Sequence, residues 1–238
     1  IVATLGPGCN NKTTLSKLIK AGVNVFRINF SHASYEEVDK NIELIRNLNQ
    51  ELGSNVAILG DLQGPKIRVG KIEDGVVFKK GDFFTLNCSK NIIGNKDQAS
   101  LSYKDFAKDV KKGDKVLIDD GKLIFEVVSS DKKSEVKLIN IQGGALTSKK
   151  GVNLPNTKIS TPSLTKKDKE DLSYAISKEL DWIALSFVRD AKDMINLRKI
   201  IEKESSEKIP IIAKIEKPEA IKNIEEIIQN SDGIMVAR

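Results

Sequence analysis

The chain has 238 residues, 39% apolar and 30% charged, and its 39 basic against 33 acidic side chains leave a net charge of +6. That length and balance suit one large domain, or a large and a small one, and exclude a disordered chain. No basic block is interleaved with aromatics, no apolar run reaches membrane-spanning length, and Cys9, Cys88 and a single histidine cannot build a structural zinc site. No nucleic acid, no membrane and a reducing cytoplasm are therefore expected, and the mild positive excess fits either a solvated surface or attraction to anionic small molecules.

In chain order, residues 1–5 (IVATL), 23–30 (VNVFRINF) and 55–62 (NVAILGDL) are nearly continuous in apolar side chains, as in parallel strands covered on both faces. Ser34 and Glu37 have capping-box spacing, and Val38, Ile42, Ile45, Leu48 and Leu52 recur at helical spacing, which predicts a helix over 34–52. From 67 to 157 the character changes to short β-like runs divided by turn signals such as Asp74-Gly75, Asp119-Asp120-Gly121 and Gly143-Gly144. Thr165 is the expected cap of a helix ending near Leu180. Strands are then predicted at 181–188, 210–216 and 233–238, with helices over 190–204 and 217–230, the latter carrying Pro218 in its first turn.

Repeated strand–helix units mean a parallel α/β fold, either a barrel or a doubly wound sheet. The domain reading is 1–66 and 158–238 as a barrel domain, with 67–157 as an all-β domain inserted at the end of a barrel strand. Such an insertion covers the face where a barrel carries its active site.

The strand ends are unusually polar. Side chains alternate faces along a strand, so Arg27, Asn29 and Ser31 share one face just before His32. The third strand ends in Asp61, the fourth in Ser186 followed by Arg189, the fifth in Lys214 and Glu216, the sixth in Arg238. An internal salt bridge accounts for one such pair, Lys214 with Glu216 for example. Five strands ending this way indicate a site, because buried unpaired charges cost several kcal/mol each, on the order of what a fold can spare. Arg27, Lys214 and Arg68 suit phosphate or carboxylate, whereas Glu216 and Asp61 suit a hard cation such as Mg²⁺. Together they point to phosphoryl transfer or chemistry on an enolate.

Eight stretches carry a resemblance: IVATLGP (1–7), AGVNVFRINFSH (21–32), DLQGPKIR (61–68), IDDG (118–121), KKGVNLP (149–155), DWIALSFVR (181–189), AKIEKPEA (213–220) and GIMVAR (233–238). In their order and context they resemble pyruvate kinases over essentially the whole chain. The resemblance implies a TIM (β/α)₈ barrel, of which the first six strands are present, with a small all-β barrel inserted as a lid. It implies transfer of phosphate from phosphoenolpyruvate to ADP, giving pyruvate and ATP in glycolysis, with Mg²⁺ or Mn²⁺, in a cytoplasmic homotetramer.

Carried over residue by residue, the resemblance implies that Arg27 holds the substrate phosphate and that Lys214 stabilises the phosphoryl group in flight. Glu216 is one of two carboxylates for the divalent ion, and Ser186 lines the substrate pocket. Asn29, His32, Arg68 and Lys150 match the nucleotide side, and the turn at Asp119 and Asp120 matches a lid carboxylate. Asn29, Ser31, Asp61 and the carbonyl of Leu62 match a monovalent-cation site. Leu62, Gln63 and Lys66, however, resemble the potassium-independent branch, in which Lys66 substitutes for the cation and K⁺ is not required.

The second metal carboxylate is expected in a Gly-Asp pair directly after Arg238, so the chain reads as a fragment, inactive alone. Two rival readings are a metal-dependent aldolase or lyase of the same barrel superfamily and a non-catalytic binding fragment. Nucleotide dependence tests the first, and comparison with the intact protein tests the second.

Overall fold

Apolar runs near both ends of the chain become the strands of one parallel sheet, and the run of β-like segments between them builds a second unit. The computed structural model describes residues 1–238 except His32, Asn156 and Arg238. One compact unit comprises Ile1–Pro65 with Pro162–Arg238, the other Lys66–Thr161.

The first unit begins β1 (Val2–Thr4), α1 (Lys12–Lys20), β2 (Val25–Asn29), α2 (Tyr35–Leu52), β3 (Ala57–Leu62). The second unit contains β4 (Val77–Phe78), β5 (Phe83–Asn87), β6 (Gln98–Ser100), α3 (Phe106–Asp109), β7 (Lys115–Ile118), β8 (Leu123–Ser130), β9 (Glu135–Gln142), β10 (Gly144–Ala145) and β11 (Val152–Asn153). The first unit then resumes with α4 (Lys166–Ser177), β12 (Trp182–Leu185), α5 (Ala191–Glu204), β13 (Ile211–Ile215), α6 (Pro218–Lys222), α7 (Ile224–Gln229) and β14 (Gly233–Val236).

The sheet of the first unit runs β1-β2-β3-β12-β13-β14, every pair parallel and in chain order. A doubly wound sheet reverses its order at a switch point. This one never does, so it is singly wound and curls as a half-barrel. Phe26, Ile28 and Phe30 bury completely among the helices. The two-residue period of the strand then sends Arg27 and Asn29 to the opposite face.

The helices follow their end signals. α2 starts on the Ser34–Glu37 capping box and stops at Gly53, whose φ of 60° closes the helix in the left-handed region. α1 was not among the predicted elements; Asn11 caps it by accepting from the Thr14 amide, and only Leu15 on it is buried. The helix from Thr165 ends at Ser177 rather than near Leu180, because Glu179 turns left-handed at φ 53°. The single helix predicted over 217–230 is two helices. The break falls at Asn223, whose side-chain amide donates to the carbonyl of Arg189 at 2.9 Å.

In the second unit, β11-β7-β8-β9-β5-β6 form a sheet that is antiparallel except between β5 and β6, and β10 pairs with β4. Phe78, Phe84 and Phe125 form its centre, edge to face at centroid distances of 4.9 and 5.1 Å from Phe78. Residues 66–72 form no strand and are tied by single bridges, Arg68 to Gly151 and Val69 to Leu101.

One buried carboxylate secures the first unit where its chain leaves and returns. Asp168 is fully buried; its Oδ2 accepts from the Thr165 amide at 2.8 Å and its Oδ1 from the Gly64 amide at 2.9 Å. Asp168→Ala removes half of the capping box and strands the Gly64 N–H. The expected loss is about 2–4 kcal/mol, roughly 5–10 °C in melting temperature. Thermal unfolding followed by circular dichroism checks this, and a change under about 1 °C would remove Asp168 as an anchor.

Candidate active site

The parallel register puts Thr4 beside Arg27, Asn29 beside Asp61, and Asp61 beside Ala184, so the carboxyl ends of neighbouring strands lie level. Across them runs a string of alternating charge. Arg27 donates through Nε to Asp61 Oδ2 at 2.6 Å and through Nη1 to Thr4 Oγ1 at 2.8 Å. Lys214 Nζ lies 3.2 Å from Asp61, donates to Ser186 Oγ at 2.7 Å, and is 3.5 Å from Glu216 Oε1. Ser186 Oγ in turn donates to the carbonyl of Leu62 at 2.7 Å. Glu216 Oε2 accepts from the backbone amide of Phe187 at 2.8 Å.

Burial explains the pairing. The Asp61 side chain is 2% exposed and that of Lys214 9%, so neither charge is tolerable without its partners. Arg27, at 23%, is the open end of the string. Two cations and two anions cancel, so an anionic ligand binding here gains Arg27 and Lys214 as donors and brings charge that the protein does not itself neutralise. Beside Glu216, Lys217 is held below its usual range, chiefly by burial and then by the neighbouring Arg189 guanidinium, which outweigh the acidic groups nearby.

Among the described residues, no group of three or more His, Cys, Asp or Glu side chains could hold a metal ion. The donor set nevertheless suits one kind of cation. Mg²⁺ keeps most of its shell as water and substrate oxygens and takes only one or two carboxylates. Glu216 can supply one.

The remaining predicted positions are engaged as follows. Asn29 Oδ1 accepts from the Ser31 amide at 3.0 Å, a local turn. The carbonyl of Leu62 accepts from Ser186, and Asp61 from Arg27 and Lys214, so these oxygens already have protein donors. Ser186 is buried, with its hydroxyl spent on Lys214 and Leu62. His32 and Arg238 lie outside the described residues.

A cavity of about 480 Å³ adjoins the string, lined by Thr4, Pro7, Asn10, Asn29, Glu37 and Asn41 among others. Asn10 and Asn41 were not singled out in the sequence, and Glu37 only as part of the capping box of α2. Thr4 could have been, since it ends β1 as Asp61 nearly ends β3.

The second unit gathers Arg68 and Lys150, distant in sequence, onto adjoining segments. Arg68 bridges Gly151 and donates to the Lys149 carbonyl at 2.8 Å. Lys150 Nζ is 3.0 Å from Asp119 Oδ1, and Lys122 is 3.1 Å from its other oxygen. Bonds from Lys150 and then Lys122 hold the Asp119 carboxyl below its usual range. Lys66 is the first residue of this unit.

A family model described as pyruvate kinase, barrel domain, matches residues 1–238. Curated relatives include pyruvate kinases of Staphylococcus haemolyticus, 43% identical over all of this chain and 41% of the relative, and of Thermococcus litoralis, 41% identical over all of this chain and 50% of the relative. A crystal structure of a pyruvate kinase from Cryptosporidium parvum superposes with a TM-score of 0.91 at 35% identity, over 99% of this chain and 50% of that one. The chain thus spans about two fifths to one half of the length of the relatives it matches.

Removing one partner of a buried ion pair costs about 3–5 kcal/mol. Asp61→Ala is expected to lose about that much stability, and adding Lys214→Met should restore part of it by removing the orphaned ammonium. Denaturant titration of the two single variants and the double variant measures the coupling. Strictly additive losses would show that Asp61 and Lys214 do not stabilise each other.

Proposed function

The chain belongs to the pyruvate kinase family, and we propose that it serves the transfer of the phosphoryl group of phosphoenolpyruvate to ADP, giving pyruvate and ATP. The observation that carries this reading is the string Arg27–Asp61–Lys214–Glu216 at one edge of the sheet, two anion-binding cations beside a carboxylate suited to a hard cation. In this reading the half-barrel belongs to a TIM (β/α)₈ barrel and the unit Lys66–Thr161 acts as its lid. The enzyme is cytoplasmic, and its intact form is a homotetramer.

The bond from phosphorus to the enol oxygen breaks while one to a terminal oxygen of ADP forms, and the enolate left behind takes up a proton at its terminal carbon to become pyruvate. Little covalent chemistry falls to the protein, so positioning and charge do the catalysis. Arg27, anchored by Asp61 and Thr4, presents its guanidinium to the substrate phosphate. Lys214, held by Asp61 and Ser186, meets the charge spread over the oxygens of the phosphoryl group in transit. Ser186 acts by orienting Lys214 at the substrate pocket. Glu216 would hold Mg²⁺ or Mn²⁺, which when bound neutralises phosphate charge and stabilises the developing enolate oxygen. Asn29 and His32, with Arg68 and Lys150 from the lid, serve the nucleotide, and the cavity beside Asn29 is large enough for its nucleoside part. Asp119, which neutralises Lys150 in the lid, would give way to a more highly charged phosphate.

The positions Asn29, Ser31, Asp61 and Leu62 hold no monovalent cation in this reading. Three of their oxygens already accept protein donors, and Lys66 carries the positive charge covalently.

In the full-length protein, Lys214→Met is expected to lower turnover by about 10²–10³, or about 2.7–4 kcal/mol, and to leave phosphoenolpyruvate binding largely intact. Pyruvate formation with and without ADP, together with substrate titration, checks both this and the nucleotide dependence that a lyase would lack. Near wild-type turnover would end the assignment of Lys214. Turnover should also be similar in K⁺ and in a bulky ammonium salt of equal ionic strength, and Lys66→Glu should acquire K⁺ dependence. A wild-type rate that rises about tenfold on adding K⁺, about 1.4 kcal/mol of barrier, contradicts the role of Lys66.

A further inference from the structure

We propose that Phe187 is a positioning residue for Glu216. It acts through its backbone amide, which its left-handed conformation aims at the carboxylate, and Gly64 leaves room for that conformation. The inference rests on reading Glu216 as a divalent-cation ligand and adds what holds that ligand in place.

Phe187 has a φ of 57°. The left-handed region is costly for any side chain and is visited mainly by Gly, Asn and Asp. Among the described non-glycine residues with positive φ, the others are Asp119, Asp120, Lys132, Lys149 and Glu179, all polar. Phe187 is the one bulky apolar residue held there, two residues after the end of β12, beside the charge string. Strain of this kind persists only where the surroundings over-determine it.

Those surroundings are specific. The Phe187 N–H donates to Glu216 Oε2 at 2.8 Å, and its carbonyl accepts from Ser163 Oγ at 3.2 Å. Its ring lies against Gly64, where an added Cβ would come within 2.8 Å of ring carbon Cδ2, at a position whose own φ of 69° already favours glycine. On another side, Lys217 Nζ stands 5.8 Å from the ring centroid.

The consequence concerns Glu216 and Lys214. Their charges attract across 3.5 Å, and a freely turning carboxylate would close fully onto the ammonium. The Phe187 amide instead holds the other carboxylate oxygen, Oε2, while Oε1 is the one that faces the ammonium. The preceding residue holds the cation, because the Ser186 hydroxyl accepts from Lys214 at 2.7 Å. Two consecutive residues therefore set the separation between the ammonium and the carboxylate, leaving Lys214 for the phosphoryl group and Glu216 for the cation.

The test uses Phe187→Gly and Phe187→Val in the full-length protein, with Mn²⁺ alone as the probe, free Mn²⁺ measured by electron paramagnetic resonance and folding by thermal melting. Glycine adopts positive φ freely but loses the ring. Valine keeps more apolar volume, but its branched Cβ disfavours positive φ and turns the amide away. The expected result is a Mn²⁺ affinity within about twofold of wild type for the glycine variant and about tenfold weaker for the valine variant, the reverse of what a packing role would give. A valine variant that binds as tightly as wild type, or a glycine variant that binds more weakly than the valine one, overturns the proposal. If the valine variant does not fold, hydrogen exchange at the Phe187 amide decides: Glu216→Ala should speed it at least tenfold, and unchanged exchange overturns the proposal. A wild-type protein that binds no Mn²⁺ and forms no pyruvate overturns the reading of Glu216 itself and this inference with it. Wild-type Mn²⁺ binding with the wrong order of variants overturns this inference alone.

Discussion

The polar edge of the parallel sheet is organised around one buried carboxylate. Asp61, 1% exposed, takes Arg27 from β2 and Lys214 from β13. Burying its charge there without those cations would be costly, and so would burying Lys214 without Asp61. This mutual requirement fixes three strand ends against one another. It also sets the direction in which both cations present their remaining donors.

The fold supplies that arrangement as a by-product of packing. Phe26, Ile28 and Phe30 must face the helices to be buried, and the strand period then commits Arg27 and Asn29 to the other side. A register slip of one residue would exchange the two sets. Behind the site, Asp168 ties the Gly64 amide to the start of α4, and Gly64 in turn leaves space for the Phe187 ring. Anchors of this kind keep the side chains at the polar edge within narrow limits without being part of it.

The second unit is built on another principle. Its aromatic centre of Phe78, Phe84 and Phe125 stabilises a mostly antiparallel sheet, and its cations are paired near the surface. The Lys150–Asp119 pair is accessible to solvent, where such a pair contributes little stability. A lysine held so lightly can exchange its partner more readily than the buried Lys214.

The sequence by itself determined the alternation of strands and helices, the capping box that starts α2, and the face that Arg27 and Asn29 share, because each depends on neighbours within a turn or two of chain. It also carried the family, through stretches that are specific only in combination. The strand–helix periodicity alone left open barrel against doubly wound sheet; the resemblance implied a barrel, and the unbroken order β1-β2-β3-β12-β13-β14 is that of a singly wound half-barrel. The break at Asn223, the capture of Arg27 and Lys214 by one carboxylate, and the left-handed turn at Phe187 were decided only by tertiary structure. Each depends on a partner tens of residues away: the Arg189 carbonyl, Asp61, and the space above Gly64. Local pattern fixes which way a side chain points, but what it meets there is set by the register between strands, and that register forms only when the apolar faces pack.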